Sequence, residues 1–283
     1  MEFVPAIEIV RDAYARGYAV PSFCVWDSVT MDTVLRVASD CRAPVMLMCG
    51  WFEFRLMPAA ALVQVARAVA ARHNVPAALH LDHGESLETV DACLEAGFTS
   101  VMLDYSGRPF VENVAALREV VRRARPRGVS VEGEMGVVGR ADAEATEGGR
   151  APLLTDPAEA AAYVQQTGVD MLAVAIGNAH GLYREPPRFD FALLEKLRAA
   201  AGVPLVLHGG SGTPEDDLRR AVSLGIAKVN VASELVQAVR QSLMSQWQEG
   251  RSQWVPGALL QAMSAYAAVA EKWFLMTGAA GKA

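Results

Sequence analysis

A chain of 283 residues, 52% hydrophobic and 20% charged, can bury a sizeable core, either as one large barrel or as two ordinary domains. Its formal net charge of −6 excludes the basic footprint of a nucleic-acid-binding protein. No apolar run approaches the length of a bilayer span, and the opening residues 1–5 lack the basic and apolar regions of a signal peptide. Four cysteines (Cys24, Cys41, Cys49, Cys93) form no Cys-x-x-Cys pair, which points to free thiols in a reducing cytoplasm.

In chain order, a helical stretch over 5–16 stops at Gly17, and an apolar run over 18–24 reads as the first strand. A helix over 28–41, a strand over 44–49 and a helix over 58–73 follow. The third strand, over 76–84, ends in His80-Leu81-Asp82-His83-Gly84. Strand alternation puts His80 and Asp82 on one face and Leu79 and Leu81 on the other, with His83 at the lip. The pattern continues with a helix over 86–96, a strand over 99–104, a helix over 111–124 and a strand over 129–134. After a long loop come a helix over 156–166, capped by Asp156 or Thr155 with Pro157 in its first turn, and a strand over 169–176. A helix over 190–200, a strand over 203–208, a helix over 214–224, a strand over 226–231 and a helix from Ser233 complete the cycle. Apolar helical residues over 255–276 close the chain.

Eight near-continuous apolar strands, each followed by a helix, imply a parallel sheet covered on its outer face. That number in this length predicts a closed (β/α)8 TIM barrel, an α/β fold, as one domain over 1–283 with 250–283 as a C-terminal helical extension. A doubly wound open sheet would carry Gly-x-Gly-x-x-Gly at its first strand–helix turn, and none is present.

Barrel chemistry lies at the C-terminal ends of the strands. Those ends carry Cys24, Cys49, Asp82 with His83, Asp104, Glu132 with Glu134, His180, His208 and Asn230. Taken singly, each histidine reads as a hydrogen-bonded barrel residue. Three at equivalent heights, beside carboxylates, read instead as a catalytic zinc set with an open position. A second signal is rich in glycine: His208-Gly209-Gly210-Ser211-Gly212 after the seventh strand and Asn230-Val231-Ala232-Ser233 after the eighth. Freed backbone N–H groups and a serine at a helix start make an anion site, the usual place of phosphate in such barrels.

These residues carry a resemblance. His-Leu-Asp-His-Gly at 80–84, Ala175-Ile176-Gly177-Asn178-Ala179-His180-Gly181, Leu207-His208-Gly209-Gly210-Ser211-Gly212 and Lys228-Val229-Asn230-Val231-Ala232 resemble the signature blocks of class II, zinc-dependent ketose-bisphosphate aldolases. The match, in order and spacing, runs over 18–240. It implies reversible cleavage of a fructose- or tagatose-1,6-bisphosphate type of ketose to dihydroxyacetone phosphate and an aldehyde such as glyceraldehyde 3-phosphate. It further implies His83, His180 and His208 as zinc ligands and Asp82 as the proton donor and acceptor. Glu134 and Asp104 become a second or alternative site for a divalent or monovalent cation. Gly181, Gly209, Gly210, Ser211, Asn230, Val231, Ala232 and Ser233 would hold the phosphate end and hydroxyls of dihydroxyacetone phosphate. The loop over 136–154 is long for its place and reads as a lid, with Asp142 matching the family's lid acid. Family members are homodimers or homotetramers, and the segment with Trp254, Trp273 and Phe274 is a candidate contact.

The chain departs from the pattern at identifiable places. Cys24 stands where asparagine is usual, and Asp104-Tyr105-Ser106-Gly107 where Asp-Gly-Ser-His is usual. Arg140 replaces the lid's second glycine, and the second strand runs out in Met48-Cys49-Gly50-Trp51. The metal and phosphate side is intact and the opposite wall is altered. This leaves open a different aldehyde partner, or a non-catalytic barrel that keeps its metal as a subunit or sugar-phosphate sensor; the intact Asp82 favours catalysis. A Schiff-base aldolase would need a lysine at a strand end. Lys228, the one strand lysine, reads instead as a deep, paired barrel residue. A zinc hydrolase would use the three histidines but leaves the two phosphate motifs unexplained.

Overall fold

The computed structural model describes residues 1–141, 152–250 and 254–283. Eight strands form its centre: β1 (Val20–Cys24), β2 (Val45–Cys49), β3 (Ala77–Gly84), β4 (Ser100–Leu103), β5 (Ser130–Met135), β6 (Met171–Val174), β7 (Leu205–Leu207) and β8 (Ile226–Val231). They close into a parallel barrel in chain order, with β1 sealed against β8 through Val20↔Lys228 to Phe23↔Val231. The predicted TIM barrel is the observed fold.

Helices α1 (Ala6–Arg16), α2 (Ser28–Cys41), α3 (Ala59–Ala70), α4 (Leu87–Ala96), α5 (Phe110–Ala124), α6 (Pro157–Thr167), α7 (Phe191–Ala201), α8 (Glu215–Ser223), α9 (Ser233–Gln248) and α10 (Val255–Met276) surround the strands. Their ends are written in local chemistry. Asp27 closes a capping box on α2, its carboxylate accepting from Val29 and Thr30 while Thr30 accepts from the Asp27 N–H. Asp156, not Thr155, caps α6; the Thr155 hydroxyl instead donates to the Met135 carbonyl and accepts from Ala175 N–H, tying β5 to the stretch after β6. Helix α1 closes the bottom of the barrel: Val4 N–H donates to the Ala77 carbonyl at 2.9 Å and Ile7 N–H to Ser130 Oγ at 3.0 Å.

Alternation along the strands sorts the barrel into two layers. Leu79, Leu81, Val229 and Val231 join the apolar layer beneath the helices, while His80, Asp82, Glu132, Lys228 and Asn230 share the opposite set and bond to one another. Phe23 faces outward, edge-on to Phe274 of α10 at 5.3 Å.

Helix α10 packs on α9, α2 and β1, so Trp273 and Phe274 are fully buried within this chain and are not available as contacts with another copy, whereas Trp254 is 74% exposed. Three short elements fall outside the sequence reading: a 3-10 turn at Glu53–Arg55, a second at Arg125–Arg127, and a parallel pair of two-residue strands, Gly139–Arg140 and Ala179–His180. The sixth strand also stops earlier than its apolar run, because Asn178 Oδ1 takes the Ile176 N–H at 2.8 Å and ends the ladder.

Candidate active site

The site begins with a break in β3. Regular alternation would send Asp82 and His83 to opposite faces, yet both are buried at the barrel mouth. The pairing of β3 with β4 slips between Leu81 and Gly84, and His83 takes a left-handed φ of 41°, which turns its ring in beside Asp82. Only glycine fits next: a Cβ at position 84 would lie 2.5 Å from the Met102 carbonyl oxygen. The local sequence thus bends the strand where two adjacent polar side chains must face one point.

His83, His180 and His208 each present a ring nitrogen within 4.8 Å of the others. His83 Nδ1 donates to Asp104 Oδ2 at 2.9 Å, and His208 Nε2 donates to Glu132 Oε1 at 2.7 Å. The two remaining nitrogens, His83 Nε2 and His208 Nδ1, face each other at 2.9 Å. With the outer nitrogens held by carboxylates, as in metal-ligating histidines, the inner lone pairs of the neutral rings point at the same place. Burial pulls the His180 and His208 rings below the usual imidazole range, which keeps them neutral donors. Buried Glu134 Oε2 accepts no hydrogen bond among the described residues and lies 3.5 Å from His208 Nδ1. The donor set fits a divalent metal. A second group of possible donors, His83, Asp104 and Glu134, shares one histidine with the first.

Beneath the histidines the buried charges are paired. Lys228 Nζ donates to Glu132 Oε2 at 2.7 Å and lies 3.3 Å from His80 Nε2, whose other nitrogen meets Ser100 Oγ at 2.8 Å. Burial alone would raise the Glu132 carboxyl, but Lys228 and the His208 hydrogen bond hold it at about 2. Burial also opposes ionisation of Asp82; His83, His80, His208 and Lys228 outweigh it and hold the carboxyl well below its ordinary range. Asn230 Nδ2 fixes it from β8, donating to Asp82 Oδ1 at 2.9 Å. Glu134 goes the other way, pushed well up by burial and by Asp104.

A cavity of about 430 Å³ opens over this floor. Asp82, His180 and Asn230 line its base, and Gly181, Gly209, Ser211, Ala232 and Ser233 line one side. Gly209 sits at φ 62°, where a Cβ would be 2.0 Å from the Ala179 carbonyl oxygen, so the loop's close approach admits no side chain. Ser211 Oγ accepts from Glu234 N–H at 3.1 Å and links the glycine loop to the start of α9. Residues of both glycine-rich stretches thus meet at the cavity, beside the start of a helix.

Residues 4–282 match the family described as Fructose-bisphosphate aldolase class-II. The chain belongs to that family. The enzyme is thus a lyase of the class II aldolase type, and reversible aldol cleavage is its chemistry. Among solved structures it is similar to the YdjI aldolase from Escherichia coli K12, with 31% identity and a TM-score of 0.88 over 100% of both chains. It shares the fold of the fructose-bisphosphate aldolase from Campylobacter jejuni, with 21% identity and a TM-score of 0.83 over 98% of this chain and 95% of that one.

Within this class II aldolase, not every residue singled out in the sequence reaches the cavity. Gly210 is spent on structure: its N–H donates to the Asn230 carbonyl at 3.0 Å, and a Cβ there would lie 2.6 Å from Val229 Cγ1. Val231 alternates away from Asn230 into the apolar layer. Asp104, tied by the Ser106 N–H and hydroxyl at 3.0 and 2.7 Å, lines a second cavity of about 260 Å³ with Trp51, His83, Glu85, Tyr105 and Arg108. Asp142 lies outside the described residues.

Other residues of the aldolase come to the site unannounced by any motif. The Tyr183 hydroxyl accepts from Ala179 N–H at 2.7 Å and donates to the Gly209 carbonyl at 3.0 Å, bracing the His180 segment against the glycine loop. Glu53 reaches the cavity from the 3-10 turn after β2: Gly50 N–H donates to its Oε2 at 2.8 Å, and Cys24 Sγ lies 3.6 Å from its Oε1. A lone acid in a short turn leaves no periodic trace, which is why sequence reading passes over it.

Proposed function

We propose that this enzyme cleaves a phosphorylated ketose, reversibly, to dihydroxyacetone phosphate and an aldehyde, with zinc held by His83, His180 and His208. The observation that carries the reading is one cavity lined by Asp82, by His180 of the three-histidine cluster that His83 and His208 complete, and by Gly209, Ser211, Ala232 and Ser233. A metal in that cluster supplies Lewis acidity at the substrate carbonyl while negative charge develops there. The chain's own groups do the rest. Backbone amides of Gly181, Gly209 and Ser233, with the Ser211 hydroxyl, bind the phosphate and fix the sugar's direction. Asp82, held ionised and aimed by Asn230, takes the C4 hydroxyl proton as the C3–C4 bond breaks and returns it in condensation. Asp104 and Glu132 keep the outer nitrogens of His83 and His208 protonated, so the inner lone pairs face the centre. Asp104 with Glu134 would take a second divalent or a monovalent cation, and Asp142 would handle the C3 proton of the enediolate.

None of the four cysteines is in a disulfide, in keeping with a reducing cytoplasm. No helix among the described residues is long and apolar enough to cross a membrane. Trp247, Leu260 and Leu275 are exposed on α9 and α10, in keeping with a homodimer or homotetramer.

The test has two parts. Solvent exchange of the C3 hydrogen of dihydroxyacetone phosphate, followed by NMR, reports enediolate formation; cleavage of fructose and tagatose 1-phosphates and 1,6-bisphosphates reports the whole reaction. EDTA should abolish both and zinc restore them. Asp82→Ala should lower cleavage by about 10²–10⁴-fold while retaining bound zinc. Bound zinc with neither exchange nor cleavage would leave a sugar-phosphate sensor as the reading.

A further inference from the structure

The two sides of the cavity differ in charge, and the difference bears on the half of the substrate that leaves as aldehyde. One side is the amide-lined anion cradle. The other is made by the ends of β1 and β2: Cys24, Met48, Gly50, Phe52 and Glu53. Among the described residues lining the cavity, the charged ones are Glu53, Asp82 and Arg240. Arg240 rises from α9, the helix that Ser233 opens, and its Nη1 donates to Gln237 Oε1 at 3.5 Å. Among the described lining residues, those that β1, β2 and the turns after them contribute offer a carboxyl and no cation. Glu53 is anchored there by the Gly50 amide and the Cys24 thiol, neither of which neutralises it.

Resting on the reading above, we propose that the ketose is phosphorylated at one end only: its aldehyde half is an uncharged hydroxyaldehyde, and Glu53 with Cys24 hydrogen-bonds its hydroxyl groups. A second phosphate on this side would face Glu53 and Asp82 together, a like-charge contact in a partly desolvated pocket. A hydroxyl meets a carboxyl oxygen and a thiol that are already oriented. Burial raises the Glu53 carboxyl, so it donates a hydrogen bond more readily than an exposed acid and can serve a hydroxyl as donor or acceptor. Trp26, Phe52 and Leu56 continue the lining with apolar surface suited to carbon and unsuited to a dianion. Arg108 lines the second cavity, over the Tyr105 ring, and Glu85 and Asp104 share that cavity with it.

The experiment is condensation of dihydroxyacetone phosphate with racemic glyceraldehyde or racemic glyceraldehyde 3-phosphate, using the zinc-loaded enzyme. The unphosphorylated aldehyde should be preferred in kcat/KM by about tenfold or more, and Glu53→Lys should move that ratio toward the phosphorylated aldehyde by about tenfold or more. Glu53→Gln, which keeps the shape and removes the charge, should move it the same way by less, and carries the test if the lysine variant does not fold. A wild-type preference for glyceraldehyde 3-phosphate, or a ratio unmoved in the folded variants, overturns the proposal. Solvent exchange of dihydroxyacetone phosphate separates the two failures: exchange with the wrong aldehyde preference sinks this inference alone, whereas no exchange sinks the reading beneath it.

Discussion

A lysine, a glutamate and two histidines lie fully buried around one point below the cavity, and their pairing decides what each can do. Lys228 donates to one oxygen of Glu132, and Glu132 spends its second oxygen on His208. Removing one member leaves the other as an uncompensated buried charge, which costs about 3–5 kcal/mol. Glu132→Gln should therefore lower the stability of the metal-free protein by about that amount, measured by urea unfolding at pH 7. The pH dependence has a definite sign. The folded carboxyl, held at about 2, lies below the unfolded one, so its contribution is complete above the unfolded value and is lost as pH falls through the folded value. The gap between wild type and Glu132→Gln should begin to narrow below about pH 4.3 and close near pH 2. His83 belongs to the same scale: a left-handed backbone at a non-glycine residue costs about 1–3 kcal/mol, retained here where it turns a ring toward the centre.

At the scale of elements, α10 is what joins the periphery to the mouth of the barrel. Its Tyr266 hydroxyl donates to the Cys24 carbonyl at 2.7 Å, and its Trp273 Nε1 donates to Glu234 Oε2 at 2.9 Å, next to the Ser211 link. Tyr266→Phe should cost about 1 kcal/mol, the net worth of one hydrogen bond, and Trp273→Ala about 3–5 kcal/mol, both read by thermal or urea unfolding. The tryptophan variant should also weaken binding of dihydroxyacetone phosphate, by removing one of the two bonds, from Trp273 and Lys272, with which α10 holds Glu234 at the start of α9; calorimetric titration would show it. Elements of this kind set the limit of what sequence can tell. The eight strands were legible because each is an apolar run bounded by proline, glycine or a cap, a local signal. The kink at His83, the pairing of Gly139–Arg140 with Ala179–His180 and the turn carrying Glu53 were not, because distant residues impose them. The histidines stood out by rarity and position, whereas Tyr183 acts on backbone groups and matches no motif. Gly210 and Val231 had the spacing of the anion motif but not its geometry, since alternation turns Val231 outward and the fold consumes the Gly210 amide.

For the whole molecule, the donor set makes stability depend on metal. A ligand that binds only the folded state adds about 2.7 kcal/mol at a free concentration one hundred times its dissociation constant. Zinc should accordingly raise the unfolding temperature, EDTA should reverse the rise, and His208→Ala should abolish it, all by scanning calorimetry. An unfolding temperature indifferent to zinc would count against the cluster as a metal site.

The seam between β1 and β8 has a consequence for how the molecule comes into being. It joins segments about two hundred residues apart, Val20–Phe23 and Lys228–Val231, and so is among the costliest contacts to form. Asn230, which aims Asp82, and Lys228, which pairs with Glu132, both lie on the strand that makes this closure. An emerging chain can collapse and grow its early helices with no arrangement of charges able to act. During refolding, helical signal should rise before enzymatic competence, and competence should appear in a single late phase that coincides with closure of the ring.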